Sequence, residues 1–226
     1  MIDRILDLFF GPNPEFRQIV AVTLRMSLFS TLISTLLGVP LGVLIGANEF
    51  RAKPLVSRLV DTLMGIPPVV GGLVVFLLLS RSGPLGSLKL LYTVTAMVIA
   101  QVLLITPIIT GMASNIVSIR APSIRETCHG LGIPPGRRLW YTILECRVPF
   151  ISIVLAGFGR AIAEVGAVQM VGGNIQFKTR TMTTAIMMQS NMGYFDLAVA
   201  LGIVLLIISF TINSLVHFIQ DMERRD

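Results

Sequence analysis

Apolar residues fall into five long runs along the chain, at about residues 19–47, 59–79, 90–112, 149–171 and 197–219. A helix needs about 20 apolar residues to cross the hydrocarbon of a bilayer. Every run is long enough, and the pattern predicts an all-α membrane protein with five transmembrane helices in a single domain, residues 1–226. Ahead of the first run, Ile2, Ile5, Leu6, Phe9 and Phe10 recur at helical spacing. They predict a short amphipathic helix over residues 1–17 that lies on the membrane surface, ended by Gly11-Pro12-Asn13-Pro14. Asp3, Arg4 and Asp7 are the wrong charges for a cleavable signal peptide, so none is expected.

Composition agrees. Of the 226 residues 54% are hydrophobic and 13% charged, where soluble domains carry about 25%. The net charge of +6 would suggest a nucleic-acid partner in a soluble protein. In a membrane protein it reflects basic loops on the cytoplasmic side, and no nucleic acid is expected. Arg51, Lys53, Arg58, Arg120, Arg125, Arg137, Arg138, Arg147, Arg224 and Arg225 fall on one side of the five spans. Arg4, Arg17, Arg81, Lys89, Lys178 and Arg180 fall on the other. The excess places the N-terminus outside, the C-terminus in the cytoplasm, and the polar stretch 113–148 on the cytoplasmic face.

The spans are more than anchors. Pro40, Pro67, Pro68 and Pro107 lie within them and predict kinks. Gly38, Gly42, Gly46, Gly65, Gly71 and Gly72 allow helices to approach closely. Ordinary bundle packing explains any one of these; together they favour a transporter or channel.

In the polar stretch, Ser123-Ile124-Arg125-Glu126 fits a capping box and predicts the start of a short helix. Gly132 supplies the left-handed residue that closes it, and Pro134-Pro135-Gly136 stops it continuing. A second helix then begins near Arg137 and runs toward the fourth span. The sequence RETCHGLGIPPGRRLWYTILECRVP (125–149) resembles the coupling loop of ABC-transporter permease subunits. Glu126 and Gly132 occupy the glutamate and glycine places of that pattern, and Thr127 and Cys128 replace its two alanines. Its late proline arrives at Pro149, several residues beyond the usual place. Elsewhere TLRMSLFSTLISTLLGVPLGVLIG (23–46), GIPPVVGGLVVFLLLSRSGPLG (65–86) and AEVGAVQMVGGNIQFKTRTMTTAI (163–186) are similar to permeases of the molybdate, sulfate and tungstate group. The GGNI and TRTMTTAI phrases look most like the tungstate permeases.

The resemblance implies one subunit of a type I ABC importer in the cell membrane. It implies a homodimer, two ATP-binding cassette subunits seated under the coupling segment (Ser123, Glu126, Thr127, Cys128, Gly132), and an extracytoplasmic oxyanion-binding protein. The chain has no G-x-x-x-x-G-K-[ST] loop, so ATP hydrolysis must come from a separate subunit and the chain needs no cofactor of its own. His129 and His217 are the only histidines, far apart, and neither H-E-x-x-H nor G-x-S-x-G occurs, so no catalytic residue or metal site is expected. Cys128 and Cys146 lack metal-ligand spacing and read as reduced, packed thiols. A stand-alone channel or a secondary carrier is the reading of a different class.

A tetrahedral dianion offers only acceptor oxygens. Asn174, Lys178, Thr179, Arg180, Thr181, Thr183 and Thr184, in the outward segment after the fourth span, would present donors to it or form the docking face for the binding protein. Within the fourth span, Arg160 and Glu164 stand four residues apart, in reach of each other on one helical face. As a buried ion pair they could lock the span to its neighbours; the alternatives are a moving pathway wall or contact with another partner.

Overall fold

The computed structural model describes residues 13–223, and every regular element among them is helical. In chain order they are α1 (Pro14–Ala47), α2 (Lys53–Met64), α3 (Pro68–Leu79), α4 (Val94–Gly130), α5 (Pro135–Glu145), α6 (Arg147–Ile162), α7 (Gly166–Gly172), α8 (Met182–Asn191) and α9 (Phe195–Glu223), with a short 3-10 turn at Gly86–Leu88. Residues 1–12, most of the predicted amphipathic N-terminal helix, lie outside the described residues, as do Arg224 and Arg225.

Three helices are long and apolar enough to cross a membrane unaided: α1, α4 and most of α9 (Phe195–Asp221). Two further spans are bent pairs. α2 and α3 meet at 95°, and α5 and α6 at 64°, which makes up to five crossings. The α2–α3 bend is written in Gly65-Ile66-Pro67-Pro68. A residue before proline is pushed out of the helical region, and Pro67 accordingly takes φ −58° and ψ 131°.

Other prolines do not break their helices. α1 continues as helix through Pro40, and α4 through Pro107 and Pro122. Proline costs a turn one backbone bond but fixes a φ that suits a helix, and neighbouring helices in a membrane protein hold such a turn in place. Pro149 sits in the first turn of α6, where its missing N–H is no loss. The break in the fourth span comes at residues 163–165, where there is no proline.

The chain gathers into two compact units. The first comprises the residues up to Ser30, Pro67–Leu103 and Phe158–Ile212. Here α3 lies along α7, so close that a Cβ at Gly72 would stand 2.6 Å from the Ala167 Cα. Gln101, fully buried, ties three helices: it accepts from Ser30 Oγ (2.6 Å) and donates to the Ala161 carbonyl (2.7 Å).

The second unit comprises Thr31–Ile66, Leu104–Gly157 and the residues after Ile212. In it Gly38, Gly42 and Gly46 form one stripe of α1 against α4. A Cβ at Gly42 would meet the Thr110 carbonyl at 2.6 Å, and one at Gly46 the Ser114 carbonyl at the same distance. Small residues four apart let the two backbones touch, which is how helices associate where lipid removes the hydrophobic drive. Large apolar side chains stay exposed along the outer faces of α1 (Leu28, Phe29, Leu32, Leu36) and α9 (Leu206, Ile207, Phe210, Phe218), as lipid contact requires.

Candidate functional site

The coupling segment belongs to the second unit. Its expected capping box does not form: α4 runs unbroken from Val94 to Gly130, so Ser123 sits inside a helix. An N-cap residue must leave helical φ and ψ, whereas the Ser123 carbonyl accepts from Thr127 Oγ1 (3.0 Å) within the turn. No separate short helix starts here, and the first eighteen residues of stretch 113–148 extend the third span. Gly132 does close the helix, at φ +66°. Ile133 N–H donates to the Cys128 carbonyl (2.8 Å) and Gly132 N–H to that of His129 (3.1 Å), the two bonds of a Schellman closure. Ser123, Glu126 and Thr127 are exposed, Gly132 also, while Cys128 turns inward.

Two arginines counted above only as loop charges fix this end of α4. Arg125 Nη2 donates to the Ala47 carbonyl (3.2 Å) in the last turn of α1, and Arg120 Nη1 to that of Glu145 (3.1 Å) in the last turn of α5. Last-turn carbonyls lack helical donors, and a cation is favoured beside them. A groove of about 250 Å³ opens between these elements, lined by Asn48, Ile124, Arg125, Arg138 and Thr142 among others.

The polar segment after the fourth span belongs to the first unit. α6 stops at Ile162, the chain turns through residues 163–165, and the seven-residue α7 follows. Several polar groups at the break have partners. Gln101 takes the Ala161 carbonyl, Thr183 Oγ1 donates to that of Glu164 (2.8 Å), and the Glu164 carboxylate accepts from Ala167 N–H (3.2 Å) in the first turn of α7. Gly173 at φ +71° ends α7, and Asn174 follows at φ 51°.

Arg160 and Glu164 therefore make no ion pair. The break puts Glu164 outside the helix that carries Arg160, and the carboxylate, 7% exposed, turns to cap α7. Arg160, in the last turn of α6, is exposed and has no hydrogen bond or ion pair among the described residues.

The threonines are gathered but not free. Thr179, Thr181, Thr183 and Thr184 are all buried. Thr179 Oγ1 donates to the Gly172 carbonyl (2.6 Å) and accepts from Ile175 N–H (3.0 Å). Thr181 caps α8 in a capping box whose return partner is Thr184. Thr184 Oγ1 donates to Asn174 Oδ1 (2.9 Å), and Arg180 pairs with Glu15 of α1. A hydroxyl has one hydrogen to donate, and Thr179, Thr183 and Thr184 spend theirs inside the protein, so these three form an internal brace where the sequence suggested open donors. Of that group, Lys178 alone is exposed. Gln101 and Ser30 went unnoticed in the sequence; their signal was an amide in the middle of an apolar run and a hydroxyl-rich first span.

Over residues 38–225 the sequence matches the family described as binding-protein-dependent transport system inner membrane component. The chain belongs to this family. It is an inner membrane component of a transport system. Relatives cover almost all of it. The tungstate uptake system permease protein of Peptoclostridium acidaminophilum is 40% identical across 96% of this chain and 95% of its own length. The corresponding protein of Campylobacter jejuni is 36% identical across 95% and 90%. A probable anion ABC transporter permease protein of Haloferax volcanii is 38% identical across 87% of each.

Proposed function

We propose that this chain is the membrane-spanning permease subunit of an ATP-driven tungstate importer. The carrying observation is identity of 36–40% to two tungstate uptake permeases over nearly the full length of each. The sulfate transport permease of Synechocystis, a cargo of the same shape and charge, is 26% identical over 74% of the chain. In this reading two copies enclose one path, the N-terminus lies outside and the C-terminus in the cytoplasm. A binding protein delivers the anion from outside. Two separate subunits bind and hydrolyse ATP beneath Ser123, Glu126, Thr127 and Gly132.

The closure at Gly132 and the Arg120 and Arg125 tethers support transmission through α4: a push on its exposed end acts on a helix that continues unbroken from Gly130 back to Val94. The break at residues 163–165 ends α6 while α7 and α8 stay braced. The test is a competition assay on the reconstituted transporter with its binding protein. Labelled tungstate uptake should survive a hundredfold excess of sulfate. Uptake of sulfate with no preference for tungstate would replace the cargo assignment.

A further inference from the structure

Arg160 is a cation on an apolar helix, and no carboxylate among the described residues neutralises it. A charge at bilayer depth is costly, and placement at the α6 C-terminus recovers only a small part of that cost. Its surroundings separate it from the other arginine within a span. Arg25 on α1 is also exposed, but Leu28, Phe29 and Leu32 beside it on the same face are more than half exposed, a lipid-type surface from which a long side chain snorkels. The exposed neighbours of Arg160, four residues before and three after, are Ala156 and Ala163. Small residues mark a face turned toward protein or water, and intramembrane charges sit on such faces. The carboxylate that could have cancelled the charge is committed to the N-terminus of α7.

We infer that Arg160 is the anion-contacting residue of the translocation path, presenting its guanidinium to a tetrahedral oxyanion dianion. The inference rests on the permease reading above and names the residue that reading lacks, because the threonines expected to serve are spent on the brace. A guanidinium matches two oxygens of such an anion at once. One such group from each of the two copies, without a cage of further donors, holds the dianion weakly enough to release it, as conduction requires.

The test uses the whole transporter, with ATPase and binding protein, in proteoliposomes. Arg160→Met should cut tungstate uptake about tenfold or more, the loss of one charge-assisted contact, while binding-protein-stimulated ATP hydrolysis stays within about twofold. Arg160→Lys should keep part of the uptake. Arg160→Cys should react with water-soluble methanethiosulfonates, more slowly with tungstate present, and the cationic aminoethyl adduct should restore uptake where the anionic sulfonatoethyl adduct does not. The unmodified chain, whose Cys128 and Cys146 are buried, is the labelling blank. Wild-type uptake by Arg160→Met, no labelling of the Arg160→Cys variant above that blank, or equal rescue by both adducts would overturn the inference. So would failure of all three variants to assemble, which assigns the guanidinium to packing. If the unmodified transporter carries sulfate and not tungstate, the cargo reading falls, and the same variants then test Arg160 with sulfate.

Discussion

Thr183 and Thr211 each donate a hydroxyl to a backbone carbonyl at 2.8 Å, with opposite consequences. Thr211 bonds Ile207 in its own helix and is exposed; Thr183 is buried and bonds Glu164, nineteen residues away, at a break in the fold. Thr183→Val leaves a buried carbonyl unpaired, a cost of about 1–3 kcal/mol, so the purified protein should melt several degrees lower. Thr211→Val should shift melting little. Gly132 makes a second residue-scale contrast. No atom lies within 4 Å of where its Cβ would be, so only its φ of +66° resists substitution. Gly132→Val should cost about 1–2 kcal/mol and weaken ATPase stimulation, while Gly132→Asn, which tolerates that φ, should keep it. For Arg160 and Glu164, absence of a pair makes their effects independent: Arg160→Leu and Glu164→Leu should add in melting temperature. A double variant more stable than either single would restore the ion pair.

At the scale of elements, the α3–α7 contact leaves no room at Gly72, whose would-be Cβ neighbour is backbone and cannot swing aside. Gly72→Val should abolish assembly, seen as aggregation in size-exclusion chromatography. Gly202→Ala on α9, with nothing within 4 Å, should be neutral or better, since alanine is the stronger helix former. The same pair shows what a sequence can tell. The apolar runs located the spans, Gly65-Ile66-Pro67-Pro68 announced the 95° bend, and Gly132 announced the helix end, because each is a local property of backbone or hydropathy. The break at residues 163–165 was not legible: Gln101 and Thr183 capture its carbonyls from distant parts of the chain, and no local pattern records such partners. For the same reason Ser123 and Glu126 spelled a capping box that α4 overrides, and the threonines around Thr181 looked like open donors until their acceptors were seen.

At the scale of the whole molecule, membership of this family makes the chain one component of a transport system. Its useful parts are distributed accordingly: an exposed helix end closed at Gly132, a braced break near Glu164, and at Arg160 a cation without a partner among the described residues. The measurement that tests this most directly is labelled tungstate accumulation in proteoliposomes, with components added one at a time. Accumulation should require the permease, the ATP-binding subunit, the tungstate-loaded binding protein and ATP together, and should stop when any one is withheld. Tungstate entry through the permease alone, driven by an ion gradient and indifferent to ATP, would contradict the account and make this chain a channel or secondary carrier.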